Sequence, residues 1–266
     1  MFVIPDAPDI AFRIFNFPVY WYGITMAMAI FVGIVVSNKL FNKINEKGKD
    51  VIIEYAPLFI LLGIFGARLY FCCLNPDYYF SHPSEILDIR EGGLSIHGGL
   101  VGGIAAIIVA AYRKKISFFK IVDALACGTI LGQSIGRWGN YFNAEAYGLP
   151  VASQNWGLFI PVHARVEEYV NYSLYHPAFL YESILDLSAF FVLVYLYLHC
   201  SKKYSGLTFF AYLVIYAVIR FFVERIRIDS ALNIGTVPIA EVVSLVLLII
   251  GITGLVVVLR KRDKSI

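Results

Sequence analysis

Charge is what this sequence has least of. Only 15% of its 266 residues are charged and 59% are hydrophobic, with a mean hydropathy of +0.72. Soluble domains carry roughly 25% charged residues, so a length that would otherwise allow one or two soluble domains is read as one membrane bundle. Several apolar runs approach ~20 residues, enough to cross a bilayer core as a helix. Cysteine is scarce too. Cys72, Cys73, Cys127 and Cys200 lie in or beside apolar runs without paired metal-ligand spacing, which argues against a disulfide framework or a zinc site and leaves packing. There is no Walker loop for a nucleotide, no carboxylate cluster for a divalent metal, no repeat and no low-complexity tract. No cofactor, metal ion or nucleic-acid partner is expected. Met1 to Ile14 lacks the cationic start of a cleaved signal peptide, so the first span is expected to stay in the protein.

What is present is an all-α pattern of about seven transmembrane helices, near 20–38, 51–73, 94–112, 121–138, 177–199, 206–225 and 236–259. They are expected to form a single polytopic domain over 1–266. The longest polar segment, about 139–175, carries Asn140, Asn143, Glu145, Arg165, Glu167 and Glu168. It is too long for a simple turn and is expected to be a small folded periplasmic element. Lysine sets the orientation. With the N-terminus outside, Lys39, Lys43, Lys47, Lys49, Lys114, Lys115, Lys120, Lys202, Lys203, Lys261 and Lys264 all fall inside, which gives an N-out, C-in topology. The cations outside or within spans are all arginines: Arg13, Arg68, Arg90, Arg137, Arg165, Arg220, Arg225 and Arg227. A guanidinium fork binds phosphate through two parallel hydrogen bonds; the plainer reading is that these arginines reach for the outer interface.

Depth follows from the helical rise. Arg220 lies roughly 21 Å along its span from the cytoplasmic end and Arg137 roughly 24 Å, in a core about 30 Å thick. Glu224 and Arg227 share the Arg220 face by i,i+4 and i,i+3 spacing. His97 is about one turn deep from the outside, Tyr22 opens the first span there, and His176 precedes the fifth. Five spans thus bring polar groups to one depth, and ionisable groups inside spans usually face a cavity or substrate path. The alternatives are an Arg220–Glu224 ion pair that only joins helices, and a packing role for His97. His82, His163 and His199 show no partner pattern. The glycines around His97, from Gly92 to Gly103, allow close approach of a ligand or of a neighbouring helix, and packing accounts well for Gly99 and Gly103.

The densest stretch runs from Gly136 through Arg137, Gly139, Asn140, Asn143 and Glu145 to Gly148, far more than one helix cap requires. It resembles the signature of the prolipoprotein diacylglyceryl transferases, Gly-Arg-x-Gly-Asn-x-x-Asn-x-Glu-x-x-Gly, at every fixed position. The similarity extends to Trp21-Tyr22-Gly23, Gly66-Ala67-Arg68, His97-Gly98-Gly99, Asp123, His176-Pro177, Tyr181-Glu182 and Tyr216 with Arg220, Glu224 and Arg227. Glu241 departs from it, since similar proteins often have glutamine there, and no role is carried onto Glu241. The resemblance implies a multi-pass enzyme of the bacterial cytoplasmic (inner) membrane with its active site toward the outer leaflet. Such enzymes move the diacylglyceryl group of phosphatidylglycerol, a membrane lipid, to the lipobox cysteine thiol of a prolipoprotein signal peptide. A thioether forms and glycerol phosphate leaves. The resemblance also implies catalytic roles for Tyr22, His97, Arg137 and Arg220, and substrate binding by Arg137, Asn140, Glu145, Gly148, Tyr216 and Arg227. His97 is the best base by residue type, either taking the thiol proton or orienting the lipid. The competing readings are an anionic-lipid transporter, which internal inverted repeats would favour and none are visible, and a structural membrane subunit, which leaves the polar convergence without purpose.

Overall fold

A chain in hydrocarbon must satisfy its backbone polar groups within itself, and the apolar runs do so as helices. A computed structural model describes residues 2–88, 92–153, 155–228, 233–234 and 237–263. The elements run β1 (Phe2–Ile4), β2 (Ile10–Ile14), β3 (Phe17–Tyr20), α1 (Trp21–Ile44), α2 (Val51–Glu54), α3 (Ala56–Leu74), α4 (Pro76–Ser81), α5 (Ile96–Lys114) and α6 (Phe118–Phe142). Then follow β4 (Trp156–Phe159), β5 (Leu174–Tyr175), α7 (Ala178–Cys200), α8 (Leu207–Glu224), β6 (Asn233–Ile234), β7 (Val237–Pro238) and α9 (Ile239–Asp263). Among the described residues seven helices are long and apolar enough to span a membrane: α1, α3, α5, α6, α7, α8 and α9. Their outer faces are apolar, with Phe31, Leu61 and Phe222 all more than half exposed, a surface that fits lipid and not water. The protein is a multi-pass, all-α membrane protein.

Helices α1, α6 and α9 run furthest past their expected ends. The apolar run of α1 stops near Ser37, but the helix continues to Ile44, because the Asn38 and Asn42 side-chain amides donate to Asp50 Oδ1 at 2.8 and 2.7 Å instead of competing with the helix backbone. The same bonds hold the Asp50 carboxyl below the usual carboxylate range. Helix α6 continues to Phe142, so Asn140 lies on the helix and not in the segment after it.

The chain divides into two compact units, residues 38–122 and residues 1–37 with 123–266. In the first, α3 packs on α5 through glycines. A Cβ at Gly98 would overlap the Gly66 carbonyl, and one at Gly102 the Leu62 carbonyl, whereas Gly103 meets nothing. The close approach therefore uses Gly98 and Gly102, one residue before the expected Gly99 and Gly103. Arg68, 8% exposed, is also spent here. It donates to the carbonyls of Glu85, Ile86, Gly92 and Gly93 at 2.6–3.1 Å. Arg90 lies outside the described residues, as do the tail residue Lys264 and the side chains of Lys261 and Arg262.

In the second unit, α1 and α6 meet along Gly33, Gly128, Gly132, Gly136 and Gly139, where an added methyl would press on the facing backbone or on Met26 and Tyr22. Ser134 and Ser183 fix the register of α6 and α7, each hydroxyl donating to the other's carbonyl at 2.8 Å. Asp123 of α6 accepts from the amides of Gly206 and Phe209 at 2.6 and 2.8 Å and so caps α8. Residues after α6 fold around Ala146, Tyr147, Leu158, Ile160, Tyr175 and Phe179, with a sheet in the order β1–β4–β5. Here Arg165 donates to the carbonyls of Ile160 and Val170. Cys72 and Cys127 are buried packing residues, while Cys73 is exposed.

Candidate active site

Arginine cannot shed its charge, so inside a span it must find an anion or a set of carbonyl acceptors. Helices α6, α7 and α8 supply the arrangement. Arg137 Nη2 donates to Glu182 Oε1 at 2.5 Å, and Arg220 Nη1 approaches Glu182 Oε2 at 3.5 Å. Arg220 Nη2 also holds Glu224 Oε2 at 2.5 Å, one turn along its own helix, and Arg227 Nη1 lies 3.9 Å from the same oxygen. The Arg220–Glu224 ion pair weighed from spacing exists, but as one link of a five-residue chain. Glu182, which joins the two span arginines, has no exposed surface. Removing one partner from such a buried pair costs about 3–5 kcal/mol, so the chain is stable only as a whole or when another anion substitutes.

Tyr22 packs over Gly139, within electrostatic reach of Arg137 and Glu145. The Asn-x-x-Asn-x-Glu part of the signature closes on itself. Asn140 Nδ2 donates to Glu145 Oε1 at 2.7 Å and Asn143 Nδ2 to the same oxygen at 3.4 Å. Ala144 and Ala146 adopt φ of 51° and 57°, a conformation costing about 1–2 kcal/mol per residue, to turn Glu145 back toward Asn140. Gly148 is wedged against Ile226 and His176, its amide donating to the His176 carbonyl at 2.8 Å, and it pairs with Arg227 as an isolated bridge. A side chain there would push apart the segments that carry Arg227 and His176. His176 Nδ1 lies 3.0 Å from the Tyr181 hydroxyl. Tyr216 stacks on Tyr212, centroids 5.9 Å apart, one turn before Arg220.

His97 belongs to the other unit, in the first turn of α5. It is exposed, with its ring 6.0 Å from that of Tyr70. The structure thus brings together Tyr22, Arg137, Asn140, Glu145, Gly148, Tyr216, Arg220 and Arg227 in one unit and carries His97 in the second. Arg13 is exposed on β2, and Arg225 lies 3.6 Å from Glu241. Arg68 and Arg165 bind backbone carbonyls, which gives them no anion to exchange. The sequence reading missed Glu182 as the hub, although a carboxylate six residues into the run after His176 was signal enough.

Interlocked arginines and glutamates in the core of a lipid-facing bundle define a membrane protein built to handle an anionic group. Known proteins narrow this class. The family model for prolipoprotein diacylglyceryl transferase matches residues 9–257. The phosphatidylglycerol–prolipoprotein diacylglyceryl transferase of Bacillus cereus (strain Q1) is 38% identical over 263 residues, 98% of this chain and 96% of that protein. The enzyme of the same name from Thermosynechococcus vestitus is 38% identical over 235 residues, 88% of this chain and 87% of that protein. The chain belongs to the prolipoprotein diacylglyceryl transferase family.

Proposed function

We propose that this transferase moves the diacylglyceryl group of phosphatidylglycerol to the lipobox cysteine thiol of a prolipoprotein signal peptide, the first step of lipoprotein maturation. The observation that carries the reading is Glu182 shared by Arg137 and Arg220. A carboxylate and a phosphodiester each carry one negative charge and offer a guanidinium fork two oxygens. The lipid phosphate takes the place of Glu182 between the two arginines. The thiolate sulfur then attacks the glycerol carbon that bears the phosphate. The S–C bond forms, the C–O bond breaks, and its electron pair leaves on the phosphate oxygen, where fixed guanidinium groups stabilise the developing charge. Arg227 and Tyr216 flank that phosphate. Asn140, Glu145 and Gly148 hold the loop beside it, and Tyr22 closes it from α1. His97 receives the thiol proton or orients the headgroup, and its exposed ring at the start of α5 suits either.

The one-sided lysines support an N-out, C-in topology in the bacterial cytoplasmic membrane. On that reading residues 139–175 are a periplasmic insertion in a single membrane domain, and the site opens toward the outer leaflet. The test is incubation of the purified protein with phosphatidylglycerol and a lipobox peptide, followed by mass spectrometry. A diacylglyceryl thioether with equimolar glycerol phosphate is expected. Phosphatidylglycerol crossing between leaflets of a vesicle without thioether would replace the transferase with a lipid transporter.

A further inference from the structure

Asp186 has no role in the reading so far. It lies in the span α7, one turn beyond Glu182 on the same face, and has no exposed surface. Among the described residues neither of its carboxyl oxygens has a hydrogen-bond partner. Its electrostatic neighbours come from three helices: Arg137 of α6, Glu182 of α7, and Tyr212, Tyr216 and Arg220 of α8. Gln133, one turn before Arg137, closes this layer by accepting from the Tyr212 hydroxyl at 3.2 Å. The polar core therefore has two storeys. Arginines and glutamates form the one nearer the helix ends. Asp186 with Tyr212, Tyr216 and Gln133 forms the deeper one.

A buried carboxyl without partners is costly, and an apolar residue of similar volume would be neutral or stabilising in its place. Stability does not explain Asp186; an absent hydrogen-bond partner does. The storeys are about 5.4 Å apart, one helical turn. In a glycerophospholipid whose phosphate sits between Arg137 and Arg220, the next polar groups toward the acyl chains are the ester carbonyls of the glycerol backbone. They accept hydrogen bonds and donate none. We infer that the Asp186 carboxyl O–H donates to an ester carbonyl of the bound lipid, making Asp186 a determinant of selectivity for ester-linked diacylglyceryl donors. This rests on the transferase reading. Asp186 and the ester meet once the phosphate has displaced Glu182.

The test is competition between diacyl phosphatidylglycerol and its di-O-alkyl ether analogue of equal chain length, with thioether products of the lipobox peptide resolved by mass. The wild type should favour the ester lipid in kcat/KM about three- to ten-fold, the worth of one neutral hydrogen bond. Asp186→Leu should bring the ratio close to one while the protein stays as heat-stable as the parent. Asp186→Asn, whose amide still donates, should keep the preference. A wild type without preference, or Asp186→Leu with the parental ratio, overturns the inference while leaving the transferase intact. No thioether from either lipid overturns the transferase reading and this inference with it.

Discussion

Arg68 and Arg137 are both guanidinium groups inside membrane spans, yet they are committed differently. Arg68 donates to four backbone carbonyls and lies over the rings of Phe71 and Tyr79. Its partners cannot move without unfolding the segment they belong to. Arg137 and Arg220 bind Glu182, a side chain with rotatable bonds whose place the lipid phosphate takes on the proposed reaction. Embedded arginine thus has two uses, as a clamp and as an exchangeable anion holder, and the identity of its acceptor separates them. The unit of residues 38–122 holds the clamp, and the unit with α6, α7 and α8 holds the exchanger.

The sharpest challenge to that division is His97, which sits in the clamp's unit. If it is a base, His97→Gln should lose ~10²–10⁴ in turnover near neutral pH. The loss should shrink toward pH 9.5 as the thiol, with a free pKa of ~8.5, ionises unaided. A loss constant from about pH 7 to 9.5 leaves orientation as its role, and an unchanged rate returns all the chemistry to the exchanger. Next in size, Arg137→Lys should lose about 10²–10³ in kcat with insertion and thermal stability retained, because an ammonium ion lacks the two-pronged fork. Near-parental turnover would reduce Arg137 to a simple charge.

Arg68→Leu should do the reverse. Stability in detergent should fall by about 2–4 kcal/mol as four carbonyls lose a charged donor, while the folded fraction keeps the lipid KM. A raised KM at full stability would make Arg68 a second exchanger. Gly98→Ala forces a methyl into the Gly66 carbonyl and should cost about 1–3 kcal/mol, again without a change in KM. The smallest effect concerns Asp50. Its folded pKa is depressed by hydrogen bonds from Asn38 and Asn42, so its contribution is present above the unfolded value of 3.8 and is lost as pH falls through the folded one. Asp50→Asn should melt below the parent near pH 7, with the two converging as the solution is acidified through the lowered folded value. A gap that persists in acid would assign the difference to shape instead of charge.

The seven spans were legible because apolar length alone makes a helix in lipid. Their ends were not, since Asn38 and Asn42 look like helix breakers until Asp50, brought back by the chain, binds them. The small sheet was hidden for a related reason. Phe2–Ile4 pairs in parallel with residues Trp156–Leu158, and no local pattern announces a partner so far along the chain. In the site, i,i+4 spacing correctly put Glu224 beside Arg220, because both lie on one helix. Glu182 reaches Arg137 and Arg220 from a third helix, and spacing within one span says nothing of that. The signature glycines were legible as small residues, but Gly136 and Gly139 serve α1 and not a ligand.

The chain of Arg137, Glu182, Arg220, Glu224 and Arg227 has a formal charge count: three positive against two negative leaves one positive. On the proposed reaction a phosphodiester replaces Glu182 charge for charge, and the set keeps its one positive charge. The departing glycerol phosphate is a monoester, which carries roughly −1.5 to −2 near pH 7. With Glu182 displaced the set then sits close to neutral, and Glu182 and that product cannot both occupy it without net negative charge in a medium that screens poorly. Glu182 returning between its two arginines competes with that product for the same guanidinium groups. On the proposed reaction the resting ion pair is thus also an ejector, and it hastens product release without a nucleotide or an ion gradient.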